Sequence, residues 1–276
     1  MQWQCLHRSL WKLINENNME INKIYNEDCL DTMKRMPDSF VDLVITSPPY
    51  NMITQVKYNK YIKRVSNTHK ANKYVDFNDG LGIDEFYELH SSILKEILRV
   101  SKVVLYNFQI VSGSKEAFFK MIGDFNKYIK DIIIWDKINC LPASRDQILN
   151  AGYEMILVME NDAHLGRTIK NATFKRCEMD NIIRVPRKKE TIDNVKHNAA
   201  FPEQLCDVLI KGFSKPGDIV YDPFMGTGTT AKMALVNDRK YIGSEISKEY
   251  HHIAEKRVND LNDKSKTVEL SNKFFE

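Results

Sequence analysis

Two short stretches hold residue types that do chemistry rather than fill a core. The first is Thr46-Ser47-Pro48-Pro49-Tyr50-Asn51, set directly after the apolar run Phe40-Val41-Asp42-Leu43-Val44-Ile45. Proline removes a backbone donor, fixes φ and forces the residue before it into an extended conformation. Ser47 is therefore held at a strand tip, among carbonyl oxygens without ladder partners, with the Tyr50 ring beside it. The same residues also make an ordinary strand-ending turn, so the motif needs a companion.

The companion lies far along the chain in Asp218-Ile219-Val220-Tyr221-Asp222-Pro223-Phe224-Met225-Gly226-Thr227-Gly228-Thr229-Thr230. A strand runs into Asp222, a glycine loop follows, and Thr229-Thr230 opens a helix. Glycines bring backbone amides close to a ligand at a helix N-terminus. Glu245 stands at the end of the next strand, 23 residues beyond Asp222. An acid there accepts hydrogen bonds from the ribose hydroxyls of a nucleoside-containing cofactor. No Gly-Lys-Ser/Thr follows the loop, which excludes a P-loop. A dinucleotide site prefers a third glycine where Thr229-Thr230-Ala231 stands. S-adenosylmethionine lacks a pyrophosphate and needs one acid near its sugar and another near its charged amino-acid end, which suits Glu245 and Asp222 better.

These corners need a scaffold, and the chain alternates short apolar runs with helical periodicity. Strands are expected at 21–25, 41–46, 102–108, 132–135, 154–159, 219–221 and 240–243. Helices are expected at 29–36, 84–101, 114–125, 202–211, 231–237 and 248–260. The alternation predicts an α/β fold, a Rossmann-like, doubly wound, mostly parallel sheet with ligands at the strands' carboxyl ends. Residues 1–20 read as an N-terminal extension with an amphipathic stretch, 21–161 and 197–260 as two parts of one catalytic domain, and 261–276 as a frayed polar tail. Residues 52–80 and 162–196 are too long for plain connectors, and 161–198 shows no clear period.

The 276 residues, 43% of them hydrophobic, suffice for one large domain, and no apolar run is long enough to span a bilayer. The five cysteines are scattered and form no CxxC pair, so neither a disulfide framework nor a metal site is expected, and a reducing cytoplasm is the expected compartment. Net charge is only +3 but unevenly spread. Residues 52–75 carry six Lys/Arg and no acid, and residues 166–196 carry nine against four acids. Two basic segments on an acidic body fit a polyanion partner, although lysine-rich loops can also be merely solvated.

Taken together, TSPPY and DPFMGTGTT resemble the catalytic and cofactor motifs of the amino-methylating DNA methyltransferases, which act on cytosine N4 or adenine N6. Their order, catalytic motif first, is similar to that of the beta subgroup. Likeness continues through NEDCLDTMKRMPDSFVDLVI, IIIWDKINCLP, YEMILVME and KHNAAFPEQL, and covers the chain from Ile21 to about Val258. Asn198 departs from the proline common after Lys-His. The resemblance implies a class I methyltransferase fold, S-adenosyl-L-methionine as cofactor, and 162–196 as a small inserted DNA-recognition region. It implies that Asp222, Pro223, Phe224, Gly226, Gly228, Thr229 and Thr230 surround the cofactor's methionine part, with Glu245 at its ribose and Asp28 and Cys29 at its adenine. His197, Phe201 and Pro202 would close the pocket.

The resemblance also implies the mechanism. Ser47 Oγ and the Pro48 carbonyl hold the two N–H bonds of an exocyclic amine, Pro49 completes the corner, and Tyr50 stacks on a base flipped from double-stranded DNA. Serine at the motif's first position is typical of cytosine N4 enzymes, aspartate of adenine N6 enzymes. Lys57, Lys60, Lys63 and Arg64, then Arg167, Lys170, Lys175, Arg176, Arg184 and Arg187, are the expected DNA contacts. A homodimer and a cognate restriction endonuclease are admitted as partners. Rival readings are an RNA or protein-amide methyltransferase, a nicotinamide oxidoreductase, and a non-enzymatic DNA-binding module.

Overall fold

A computed structural model describes residues 19–51, 80–140, 142, 146–163, 166–187 and 201–261 in full. It describes the backbone alone for Thr54–Lys57, Lys60–Lys63, Glu190–Ile192, Val195–His197 and the last helix from 262 to 273. The expected extension over 1–18 lies outside the described residues.

The central element is an eight-stranded sheet. Its strands are β1 (Lys23–Tyr25), β2 (Val41–Thr46), β5 (Ser101–Phe108), β6 (Ile129–Asp136), β7 (Tyr153–Glu160), β8 (Ile182–Arg184), β11 (Ile219–Asp222) and β12 (Lys240–Ser244). They lie in the order β1-β12-β11-β2-β5-β7-β6-β8. All neighbours pair in parallel except at β7, which is antiparallel to both β5 and β6 and so is the reversed strand of the sheet. The middle strands β2 and β5 are buried along nearly their whole length, as their β-branched runs require when both faces are covered.

Helices cover each face. On one side lie α1 (Cys29–Lys34), α2 (Ile83–Val100) and α3 (Lys115–Asp124), burying Met33, Phe86, Ile93, Leu94, Phe118 and Met121 against the sheet. On the other side lie α4 (Glu203–Phe213), α5 (Thr229–Val236) and the start of α6 (Lys248–Lys273), burying Leu205, Leu209, Phe213, Ala231, Ala234 and Ala254. This is the expected doubly wound α/β arrangement. Arg99, in the last turn of α2, donates to the Met33 and Met36 carbonyls at 2.7 and 2.8 Å and so satisfies the end of α1.

Two boundaries differ from expectation. α6 continues as backbone helix to Lys273, past the expected end at 260, in a sequence of polar residues that keep helical propensity. Residues 162–196 are not wholly an insertion: Ile169, Phe174 and Met179 pack under α4, and β8 adds to the sheet beside β6. Their apolar residues lack a period because they serve a loop docked on a helix. The remaining strands form two hairpins, β3 (Thr54–Lys57) with β4 (Lys60–Lys63) and β9 (Glu190–Ile192) with β10 (Val195–His197).

Candidate active site

β2 and β11 are neighbours in the sheet and run the same way, so the residues that follow them emerge together at one edge. The junction is a bond: Thr46 Oγ1 donates to Asp222 Oδ1 at 2.9 Å. The same oxygen accepts Phe224 N at 3.0 Å, and Oδ2 accepts Thr230 Oγ1 at 2.7 Å. Asp222 thus ties the serine corner, the glycine loop and the start of α5 to one carboxylate. Burial pushes its pKa up to about 6, with the Thr230, Phe224 and Thr46 donors pulling back.

Glu245 completes the glycine corner. Its Oε2 accepts Gly226 N at 2.7 Å and its Oε1 accepts Ser247 N at 2.8 Å. Burial raises its pKa, opposed by those two amides. Gly226 and Gly228 both sit at positive φ, 55° and 84°. A side chain at Gly228 would stand 2.9 Å from the Ala254 Cα, so this glycine lets α5 approach α6. Arg257 of α6 holds the loop from below through the Thr227 carbonyl at 2.9 Å.

Between the corners lies a cavity of about 150 Å³. Ser47 and Pro49 wall one end, and Asp222, Pro223, Phe224, Gly226, Thr229, Thr230 and Glu245 wall the other. Asp28 and Cys29 line it at the start of α1, where Asp28 Oδ1 caps the helix by accepting Leu30 N at 2.8 Å. Burial and the Asp28 charge push the Cys29 thiol up, so it stays a neutral wall. Leu89, Ile93 and Phe201 supply apolar surface. Pro202 is the N-cap of α4, outside the lining, and Gly228 is likewise a packing residue. The His197 side chain lies outside the described residues.

The serine corner differs from expectation at Tyr50. The residue is 5% exposed, in T-shaped contact with Phe118, and does not line the cavity in this structure. The cause is a buried polar network. Tyr50 OH lies 2.7 Å from Ser47 Oγ and donates to Glu154 Oε2 at 3.1 Å. Asn107 Nδ2 reaches Ser47 Oγ, Tyr50 OH and Glu154 Oε2 at 3.2, 2.7 and 2.6 Å. Lys137 Nζ pairs with Glu154 Oε1 at 2.8 Å. Sequence reasoning missed Asn107, Glu154 and Lys137; the available signal was three polar residues at the ends of otherwise apolar strand runs. Asn51 was also missed: at φ 57° it bonds Leu81 N and O and the Gly113 carbonyl, clamping both ends of the basic loop. Pro48 is buried outside the lining.

The expected DNA contacts separate by edge. Arg184 ends β8 and Arg187 follows it, at the same carboxyl edge of the sheet as the cavity but on its outermost strand, where Arg184 pairs with Asp136 at 3.4 Å and Arg187 N bonds Asn139. Arg167 pairs with Asp131 near the start of β6, and Lys170 with Asp162 just beyond the end of reversed β7. Strand direction puts both at the opposite edge. Lys175 and Arg176 lie in the loop that packs at Gly212 and Phe213, the far end of α4 from Phe201. None of the four lines the cavity. The Lys57, Lys60 and Lys63 side chains and all of Arg64 lie outside the described residues.

Comparisons with known proteins agree with this geometry. The chain is 27% identical over 274 residues to the type II methyltransferase M.HinfI of Haemophilus influenzae, covering 94% of this chain and 74% of that one. In structure it resembles the cytosine-N4-specific PvuII DNA methyltransferase, with a TM-score of 0.66 and 17% identity over 87% of this chain and 86% of that one. It likewise resembles M1.HpyAVI, solved as a complex with SAM, with a TM-score of 0.57 and 23% identity over 86% of this chain and 98% of that one. The model of the N6/N4 DNA methylases matches residues 41–256, which include both corners and every described wall of the cavity but the segment at Asp28. The chain belongs to the N6/N4 DNA methylase family, and is a methyltransferase of that amino-methylating class.

Proposed function

We propose that the protein transfers a methyl group from S-adenosylmethionine to the exocyclic amine of a base flipped from double-stranded DNA, with cytosine N4 the favoured target. The observation that carries this reading is the Thr46–Asp222 bond, which fixes a serine corner and a glycine corner on one cavity. The residues fit the cofactor. Each Glu245 oxygen takes one amide and keeps acceptor capacity for a ribose hydroxyl. Ser247 Oγ, buried in the wall, has no hydrogen-bond partner among the described residues. Leu89, Ile93, Phe201 and Phe224 offer apolar surface to a ring.

When bound, the cofactor supplies an electrophilic methyl on a sulfonium sulfur. The protein's own part is to make a poor nucleophile competent. An exocyclic amine is delocalised into its ring, and Ser47 Oγ with the Pro48 carbonyl hold its N–H bonds so that the lone pair points away from the ring plane. The nitrogen gains one methyl and gives up one proton. Ser47 rather than aspartate supports cytosine. Arg184 and Arg187 lie at the sheet edge where duplex DNA would lie, and the basic stretch 52–75 supplies further cations to the same reading. A cytoplasmic workplace, a homodimer and a cognate endonuclease belong to the same reading.

The test is incubation with labelled S-adenosylmethionine and mixed-sequence duplex DNA, followed by digestion to nucleosides. N4-methylcytosine is the expected product. N6-methyladenine would move the target, and labelled RNA or protein in place of DNA would move the substrate class.

A further inference from the structure

We propose that Glu154 is a positioning residue that sets the direction of the Ser47 proton through the Tyr50 hydroxyl, so that Ser47 meets the target amine only as an acceptor. This rests on the amine-methylating reading above. A serine hydroxyl carries one proton and two acceptor sites. If its proton points into the cavity, it donates to the amine nitrogen and occupies the lone pair that must attack. The direction of one O–H bond therefore matters to the rate.

The carboxylate at the end of the network favours that direction. An ionised carboxylate only accepts. Glu154 Oε1 is held by Lys137 at 2.8 Å, and Oε2 accepts both Asn107 Nδ2 at 2.6 Å and the Tyr50 hydroxyl at 3.1 Å. Tyr50 oxygen is then left to accept, and the hydroxyl 2.7 Å away is Ser47. The Asn107 amide nitrogen donates into the same cluster, to Ser47, Tyr50 and Glu154, and accepts no proton from it. The Ser47 proton is thus drawn toward Tyr50, leaving acceptor capacity toward the cavity that Ser47 lines. Water has little access: Tyr50, Asn107, Lys137 and Glu154 are 5%, 1%, 4% and 9% exposed. A buried ion pair adds little net stability over apolar side chains, so stability does not account for this one. The negative charge that an aspartate would bring to the first motif position arrives here by way of two hydroxyls.

Glu154→Gln reverses the relay. Lys137 needs an acceptor and takes the Gln carbonyl, which turns the Gln amide toward Tyr50, sends the Tyr50 proton to Ser47, and sends the Ser47 proton into the cavity. The expected result is a kcat lower by about 30-fold or more. S-adenosylmethionine affinity by calorimetry should stay near wild type, while the thermal midpoint falls because Lys137 loses its buried counter-charge. Combined with Ser47→Ala, the same change should cost less than about 2-fold further, because the group it acts through is gone. Wild-type kcat in Glu154→Gln overturns the proposal, as does an undiminished loss in the Ser47→Ala background. Should Glu154→Gln not fold, Tyr50→Phe carries the test: lower kcat with unchanged cofactor affinity supports the relay, and unchanged kcat overturns it. A wild type that binds cofactor yet methylates no DNA amine fails at the earlier step and overturns both readings.

Discussion

The glycine corner and the serine corner face each other across one cavity, and their hydrogen bonds have different origins. At the glycine corner most partners are near in sequence: Asp222 bonds Phe224 and Thr230, two and eight residues on, and Glu245 bonds Ser247 and Gly226, two residues on and 19 back, with Thr46 of β2 the distant partner. At the serine corner the partners of Ser47 and Tyr50 are Asn107 and Glu154, between 57 and 104 positions distant along the chain, with Lys137 behind them. A surface for a fixed cofactor can be shaped by one contiguous loop whose amides are presented by its own turn. Aligning a single hydroxyl proton needs a buried charge, and that charge has to be brought in by neighbouring strands. The binding half is locally built, and the reacting half is assembled.

If that contrast is right, substitutions at the two corners should fail in different ways. Ser47→Ala should lower kcat about 10²- to 10³-fold, as losing one group aimed at a transition state does, with cofactor affinity nearly unchanged. A parallel loss of affinity in calorimetry would merge the two corners into one. Gly228→Ala places a side chain on the Ala254 backbone at positive φ and should cost about 2 kcal/mol of stability or more, read from denaturant midpoints. Glu245→Gln should do the reverse of Ser47→Ala, weakening cofactor binding about 10-fold while kcat at saturation changes little.

Smaller effects sharpen the picture. Arg187→Ala should weaken duplex binding a few-fold and reduce the salt slope by about one, while Arg167→Ala at the opposite edge should change neither. A slope change for Arg167→Ala in salt titrations would put DNA on both edges. Acid linkage should be visible at Asp222. Its pKa is raised from 3.8 to about 6, so the native state holds the extra proton between those values, and this contribution to stability is lost as pH rises through them. Asp222→Asn should flatten that limb of a plot of Tm against pH, whatever it does to the absolute level.

Much of this molecule was legible in its sequence. Strand β2 was expected over 41–46 and is found there, because a run of β-branched and apolar residues buried on both faces has few other uses. Asp222, the glycine loop and Glu245 were readable together because each lies at the carboxyl end of a parallel strand, where periodicity and a loop signal coincide. Gly228 was read as a cofactor residue when it serves helix packing, since a glycine's lack of a side chain does not say what approaches it.

Tertiary structure alone decided the rest. Tyr50 had a ring suited to stacking, and only burial beside Phe118 and the pull of Glu154 and Asn107 turned its hydroxyl to Ser47. Arg167 and Arg187 are alike in sequence, each in a basic segment, yet a docked loop sends one to each edge of the sheet. Residue type and periodicity decide which elements form and where a backbone turns. Which charge meets which hydroxyl depends on strand order, because β5, β6 and β7 bring side chains from 107, 137 and 154 within hydrogen-bond reach of one another or of Ser47, a proximity that no local pattern encodes.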